Sequence, residues 1–290
     1  LSESVADVNV WSGTSPVNSK AVSVKANSYE LLGLDTLAPG ESSIVIKVVS
    51  RSGRLNAFVV DERGKGLRTL GGDLVSPGVS PAKQLFIPAI PLQPKVKNAP
   101  AQQLRLLAPG DADANVSVEV ISGDGRFTPV GFDNITVKKG QVMNFPLSPS
   151  LASSVYGMRI NSDEPIVAGV YANVGKDFVW SSSVPALTPF TIAMTGMSPL
   201  LVFVGDDIKV ELELSVAGGK KVSKSIQGND IAFWRVPDNA RNLSFIRVSA
   251  NTYASALQAS VNGFGSIPLL AGSVLTKSAI PTANIRVLNP

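Results

Sequence analysis

The sequence predicts an all-β protein, and more specifically a six-bladed β-propeller with a pseudo-threefold repeat. Short apolar runs rich in Val, Ile and aromatic residues alternate along the chain with turns rich in Gly, Pro, Asn and Asp, which is typical of antiparallel strands. No long segment carries apolar residues at helical spacing. A pattern of three such runs occurs in residues 44–75, 155–187 and 244–275, which indicates a structural repeat.

The middle copy shows the repeated pattern most clearly. Residues 155–160 form an apolar run that ends at a polar cluster, 161–164, which Pro165 closes. A second run, 166–172, ends at a turn that contains glycine, and residues 178–183 form the third run. The pattern therefore predicts a meander of three antiparallel strands separated by two turns.

A fourth strand precedes each meander, and a second kind of four-strand set separates one meander from the next. The preceding strands are residues 29–34, 142–147 and 231–236. The complete separating sets are 85–90, 103–107, 116–121 and 134–137, and then 190–194, 200–204, 209–215 and 224–227.

The two ends of the chain complete each other in this prediction. The first separating set contains only residues 8–11 and 21–24, and residues 278–280 and 284–288 resemble the two strands that it lacks. Six four-stranded sets result, one of them built from both termini, and a propeller closes its ring in this way. The same strand count also permits three tandem β-sandwiches.

The predicted domain organisation follows from the propeller. Residues 1–290 are expected to form a single repeat domain. Its units cover approximately residues 1–82, 83–188 and 189–275, and residues 276–290 complete the first unit.

The composition excludes several kinds of chemistry. The chain has no His and no Cys, so Ser-His-Asp and Cys-His catalysis, Cys/His zinc sites and disulfides are impossible. We therefore predict no catalytic residues, no metal site and no cofactor. The net charge is +4, and no dense basic run with interleaved aromatic residues occurs, which argues against a nucleic-acid partner.

No apolar run reaches the roughly 20 residues that a membrane-spanning helix needs. The sequence begins with Leu1 and shows no signal-like segment. We therefore expect a processed or truncated piece of a longer protein, without a membrane span in this fragment.

Three cations occupy matching places in the three meanders, namely Lys47, Arg159 and Arg247. In a closed ring they would be related by rotation about one axis, where they could bind an acidic ligand together. We therefore predict them as ligand-binding residues, with an acidic glycan or a protein as the partner. The alternative is that each side chain extends to solvent from its own strand.

One acidic segment and the remaining carboxylates leave a second kind of chemistry open. Residues 110–115 alternate oxygen-bearing side chains, but they lack the Gly and Glu positions of an EF-hand loop, so we interpret them as a turn. Residues 205–207 form the matching turn in the next copy. Paired carboxylates elsewhere could support glycoside hydrolysis, and their pairing cannot be judged from sequence.

Residues 161–187 resemble a family of actinobacterial exported proteins of unknown function. The resemblance rests on residues 162–170 (SDEPIVAGV) and on residues 177–183 (DFVWSSS). In that family, turns of the form Ser-Asp-x-Pro-Val-Val-Ala precede a strand with Phe-x-Trp-Ser. The resemblance implies export and a cell-envelope setting, and it implies no catalytic residues.

These observations together predict a non-catalytic extracytoplasmic module, secreted or anchored in the membrane, that binds a partner or acts as a scaffold of the cell envelope. Two alternatives stay open. One is a carboxylate-based glycan hydrolase or lyase, and the other is a purely structural envelope domain.

Overall fold

The computed structural model describes most of the chain. The described residues are 3–12, 15–26, 28–41, 44–53, 56–61, 74–77, 80–93, 102–147, 151–174, 177–193, 198–260, 263–269 and 287–288.

The described residues form 23 strands and one short helix. The first group is β1 (Ser4–Ser12), β2 (Ser15–Val24), β3 (Tyr29–Glu30), α1 (Leu34–Leu37), β4 (Val45–Ser52), β5 (Asn56–Asp61) and β6 (Leu74–Pro77). The second group is β7 (Ala82–Pro91), β8 (Gln102–Leu107), β9 (Ala114–Ser122), β10 (Gly125–Phe127), β11 (Ile135–Val137), β12 (Val142–Leu147), β13 (Val155–Val174) and β14 (Asp177–Ser182). The third group is β15 (Phe190–Ala193), β16 (Leu200–Val204), β17 (Ile208–Val216), β18 (Lys221–Gly228), β19 (Ile231–Arg235), β20 (Ala240–Val248), β21 (Tyr253–Ser260) and β22 (Gly263–Pro268), and the last strand is β23 (Val287–Leu288).

The all-β prediction is confirmed, but the six-bladed β-propeller is wrong. The strands of the first and third predicted meanders are divided between two sheets, and the first two strands of the middle one are a single strand, so none of the three forms a blade. The sequence predicts strand positions from apolar runs, whereas the pairing of those strands depends on contacts between distant residues. The observed arrangement fits the alternative of tandem β-sandwiches.

The third group shows the sandwich most clearly, and we call it the third sandwich. One sheet has the strand order β15-β20-β17-β18, and the other has the order β19-β16-β21-β22. A single apolar core contains Leu212 and Phe245 from the first of these sheets and Phe203 and Ala254 from the second. The two sheets therefore pack face to face, as in a β-sandwich.

The second group, the second sandwich, differs in that one strand belongs to both sheets. Over residues 155–162 strand β13 pairs with β7 and β9. Over residues 167–174 it pairs with β8 and β14. The polar turn predicted at residues 161–164 is therefore wrong, because this segment continues the strand while the strand changes its partners. The shared strand joins the two sheets into one eight-stranded sheet around a common core.

The first group, together with β23, forms two further sheets, and we call this unit the first sandwich by its correspondence with the other two. Its sheets have the strand orders β2-β1-β4 and β3-β23-β5-β6. Val287 of β23 pairs with Glu30, and Leu288 pairs with Asn56. The end of the chain therefore lies between two strands of the N-terminal region. Strand β1 belongs to the other sheet, so the two ends do not build one blade. Residues 278–280 lie outside the described residues, and the predicted unit boundaries stay a prediction.

The second and third sandwiches pack against each other through a junction with an apolar centre. Ala89 and Val155 of the second sandwich contact Val202 and Leu257 of the third. The rings of Phe86 and Tyr253 stack across the junction, with their centroids 3.9 Å apart. Strands β6, β14 and β22, which are the last strands of their groups, also lie against one another.

Gly157 brings the two sandwiches close together at the centre of this junction. A Cβ atom at residue 157 would lie 2.5 Å from Cγ1 of Val204 and 3.2 Å from the carbonyl oxygen of Pro88. Only a residue without a side chain fits in that space.

We therefore expect Gly157→Ala to destabilise the protein by about 1 to 3 kcal/mol, because it overpacks the junction. Urea unfolding of the two proteins measures the change. Gly110→Ala is the matched control, since a Cβ at residue 110 meets no atom within 4 Å. Equal stability of the two variants would contradict the close contact at Gly157.

Candidate functional site

A shallow, open groove of about 310 Å³ on the second sandwich is the candidate site, and we call it the polar groove. Seven of its eight lining residues have polar side chains. The lining residues are Asn115, Val116, Ser117, Asp133, Asn134, Asn161, Ser162 and Asp163.

Three neighbouring segments of the second sandwich build the polar groove. Ser117 at the start of β9 pairs with Asn161 of β13, so the two side chains share one face of the sheet. Val116 pairs with Ile135 at the start of β11, which places Asp133 and Asn134 at the edge of the same surface. The groove therefore lies where β13 leaves its first set of partners.

Asp163 is held firmly on the wall of the polar groove. Its Oδ1 accepts a hydrogen bond from the backbone N–H of Asn115 at 2.7 Å, and its Oδ2 accepts one from Nδ2 of Asn115 at 2.8 Å. The backbone hydrogen bond and the side-chain hydrogen bond of Asn115 lower the pKa of Asp163. The carboxylate is therefore kept ionised and acts as an acceptor.

Two further hydrogen bonds orient the amides beside Asp163. Nε2 of Gln84 donates to Oδ1 of Asn161 at 3.0 Å. Oγ1 of Thr136 donates to Oδ1 of Asn115 at 3.4 Å. These contacts leave fixed amide, hydroxyl and carboxylate groups along an open surface, an arrangement that can exchange hydrogen bonds with a polar ligand.

Charged residues also lie at the junction between the second and third sandwiches. Arg126 donates from Nη2 to Oδ1 of Asp206 at 2.7 Å and to the carbonyl oxygen of Gly205 at 3.1 Å. Its Nε lies 2.6 Å from Oδ1 of Asp230. Burial by itself lowers the pKa of Arg126, but the hydrogen bonds and charges of Asp206 and Asp230 outweigh it, and the pKa is raised. These contacts hold the two sandwiches in one relative orientation.

The three predicted ligand-binding cations occupy equivalent positions in the three sandwiches. Lys47 of β4 pairs with Asn9 of β1. Arg159 of β13 pairs with Glu119 of β9, and Arg247 of β20 pairs with Glu211 of β17. The positions matched from the sequence are therefore also matched in strand register. The cation lies in the sheet that contains β1 in the first sandwich, β9 in the second and β17 in the third.

Each of the two arginines has a carboxylate of its own. Nη2 of Arg159 lies 2.6 Å from Oε2 of Glu119, and its Nη1 lies 3.9 Å from Oδ1 of Asp206. Arg159 therefore belongs to the charged residues at the junction between the second and third sandwiches. Arg247 lies 3.5 Å from Glu211 on an exposed face of the third sandwich. Lys47 is exposed on the first sandwich. A ligand-binding role of these cations stays a prediction.

Sequence reasoning missed the polar groove, although it singled out part of its lining. Residues 161–164 were expected to form a solvated turn, and residues 110–115 an acidic turn. Asn115 and Asp163 are 48 positions apart, and only the pairing of β9 with β13 brings them together. The one available signal was the density of Asn, Ser and Asp at both places.

Two kinds of feature are absent over the part of the chain that the structure describes. There, no group of three or more acidic side chains could hold a metal ion. Within the same residues, no helix has the length and apolarity that crossing a membrane requires.

The fold and the groove define a class of protein: an all-β chain of tandem antiparallel sandwiches with an open polar groove on the second one. The chain belongs to the "Family of unknown function (DUF5719)", whose family model matches residues 2–227. That match covers the first and second groups of strands. In the third group it runs from β15 almost to the end of β18. No curated protein and no solved structure matches the chain.

We expect Asp163→Asn to lower the stability of the protein at neutral pH, because the amide cannot accept both hydrogen bonds from Asn115. A lowered pKa stabilises the folded state in full above the ordinary Asp pKa, and this contribution is lost as the pH falls through the folded-state pKa. Urea unfolding between neutral and acidic pH should therefore show the two proteins converging in acid. A stability difference that does not change with pH would contradict the account.

Arg126→Ala should destabilise the protein by about 1 to 3 kcal/mol, because it removes charge-assisted hydrogen bonds at a partly buried position. Lys209→Ala is the comparison, since Lys209 pairs with Asp207 at 2.6 Å between two well-exposed side chains and should change stability by about 0 to 1 kcal/mol. Thermal and urea unfolding measure both variants. Equal losses of stability in the two variants would show that Arg126 does not stabilise the junction.

Proposed function

We propose that this chain is a non-catalytic extracytoplasmic binding or scaffold module of the cell envelope, and that the polar groove contacts its ligand. The observation that carries the proposal is the lining of the groove. Seven of its eight lining residues are polar, and Val116 is the exception. An open surface of this kind suits a hydroxyl-rich ligand such as a neutral glycan, whose hydroxyl groups both donate and accept hydrogen bonds.

The charge of the polar groove favours a neutral glycan over an acidic one. Asp133 and Asp163 both lie in its lining, and Asp163 is held in its ionised form. Like charges would repel an acidic sugar at this surface.

The carboxylate-based glycan hydrolase or lyase is the second candidate function, because the groove contains two carboxylates. A glycosidase general acid needs a raised pKa so that it is protonated near neutral pH. The hydrogen bonds of Asn115 shift the pKa of Asp163 in the opposite direction. Asp163 is therefore suited to orienting a ligand rather than to donating a proton.

The envelope setting rests on the resemblance of residues 162–170 and 177–183 to actinobacterial exported proteins. Residues 162–163 of this segment also line the polar groove. The same short stretch therefore carries both the resemblance and part of the proposed ligand contact.

Glycan-array binding tests the proposal with three proteins: the unaltered chain, Asn134→Arg and Asn242→Arg. Asn134 lines the groove, and Asn242 is an exposed residue of β20 outside it. Both variants gain the same charge, so they differ only in whether the new side chain fills the groove. We expect the unaltered chain and Asn242→Arg to bind the same neutral glycans, and Asn134→Arg to lose that binding by at least tenfold.

Two results would overturn the proposal. The absence of any glycan binding by the unaltered chain, together with no specific capture from an envelope extract, would favour a purely structural domain. Release of reducing sugar that Asp133→Asn or Asp163→Asn abolishes would establish the hydrolase instead.

A further inference from the structure

The junction between the second and third sandwiches pairs two different kinds of sheet face. The second sandwich contributes the outer face of β7, β9 and the first half of β13. The third sandwich contributes the outer face of β16, β19 and β21. Gly157 faces Val204 at its centre, and Arg159 points across it to Asp206 with 3.9 Å between the charged atoms.

Within the described residues, the first sandwich has counterparts of two of the three strands of this face, β1 for β9 and β4 for the first half of β13. The registers of β1 with β4 and of β9 with β13 identify the equivalent positions. The equivalent residues in the first and second sandwiches are Lys47 and Arg159, Val45 and Gly157, and Trp11 and Ile121. A cation is thus kept at one position, and the first sandwich has the apolar pair Trp11 and Val45 where the second has Ile121 and Gly157.

The second sandwich in turn has a copy of the second kind of face, formed by β8, β12 and the second half of β13. Leu107 pairs with both Val142 and Val167, just as Val204 pairs with both Ile231 and Tyr253. Leu107, Val142 and Val167 are half-buried.

An acid also follows the central strand of this second face, four residues after Leu107 in the second sandwich and two residues after Val204 in the third. The turn after β8 contains Gly110 and Asp111, and the turn after β16 contains Gly205 and Asp206. Asp111 is exposed.

We propose that these two faces form a second junction, in which Trp11 and Val45 of the first sandwich pack on Leu107, Val142 and Val167 of the second. Lys47 then pairs with Asp111, as Arg159 pairs with Asp206. Both partners are exposed and opposite in charge, and the apolar residues beside them are only half-buried. Closing the faces removes this apolar surface from water and brings the two charges together.

The partner of each face is the other face of the same chain. Strand β6 lies against β14, just as β14 lies against β22 across the observed junction. Residues 78–81 alone separate β6 from β7. A tether this short gives the two faces a high effective concentration, which favours contact within the chain over contact with a second copy.

Because the chain has no cysteine, a pair of introduced thiols tests the second junction cleanly. The test protein is Lys47→Cys with Asp111→Cys, treated with a short bis-maleimide cross-linker and analysed by intact mass and denaturing gel. Arg159→Cys with Asp206→Cys is the positive control for a known junction. Lys224→Cys with Asp111→Cys is the matched control, since Lys224 is also an exposed lysine, on β18 of the third sandwich.

We expect the Lys47–Asp111 pair to cross-link within one chain at a yield close to that of the Arg159–Asp206 pair, at least fivefold above the Lys224–Asp111 pair and independent of protein concentration. A yield no higher than that of the Lys224–Asp111 pair would overturn the second junction. Cross-links that join two chains and rise with concentration would also overturn it, since the partner would then be a second copy.

Discussion

The division of the strands between two sheets that close over one apolar core is the constraint on which the rest of this structure depends. Each strand has one apolar face, and that face is buried only when two sheets close over it. In the third sandwich, Phe203 and Phe245 come from different sheets and meet in one core with ring centroids 6.4 Å apart. The sheets, the junction and the groove all follow from this arrangement.

Strand β13 shows how the constraint creates a site. Its first half belongs to one sheet of the second sandwich and its second half to the other. Residues 162–165, where it changes partners, comprise three polar residues and Pro165, and none of them pairs with a residue of β7. Because this segment has no partner in β7, its side chains are not covered by that strand. Ser162 and Asp163 therefore line the polar groove.

The positions of many strands were predicted correctly from the sequence. Residues 142–147 were expected to form a strand and correspond to β12, and residues 231–236 correspond to β19 within one residue. Apolar alternation is a local property, so it locates strands without any knowledge of their partners. Pairing is not local, which is why the same strands were assigned to the wrong sheets and why the propeller was predicted.

The groove was beyond sequence reasoning for the same reason. Asn115 and Asp163 look like turn residues when each is seen among its sequence neighbours, and their hydrogen bonds appear only once β9 lies beside β13. The three cations were the opposite case, because their equivalence can be found by comparing repeats. A comparison of the repeats could not show that Arg159 and Arg247 each face a glutamate, since each glutamate lies on a different strand from its arginine.

The most direct test of the central claim is the set of amide-to-amide nuclear Overhauser contacts in a deuterated sample. The account predicts contacts that pair β13 with β9, including those around Asn161 and Ser117 and around Met158 and Val120. Contacts that instead join residues 155–160 to residues 166–172 as a hairpin would contradict it, and the sandwich and the polar groove would both be wrong.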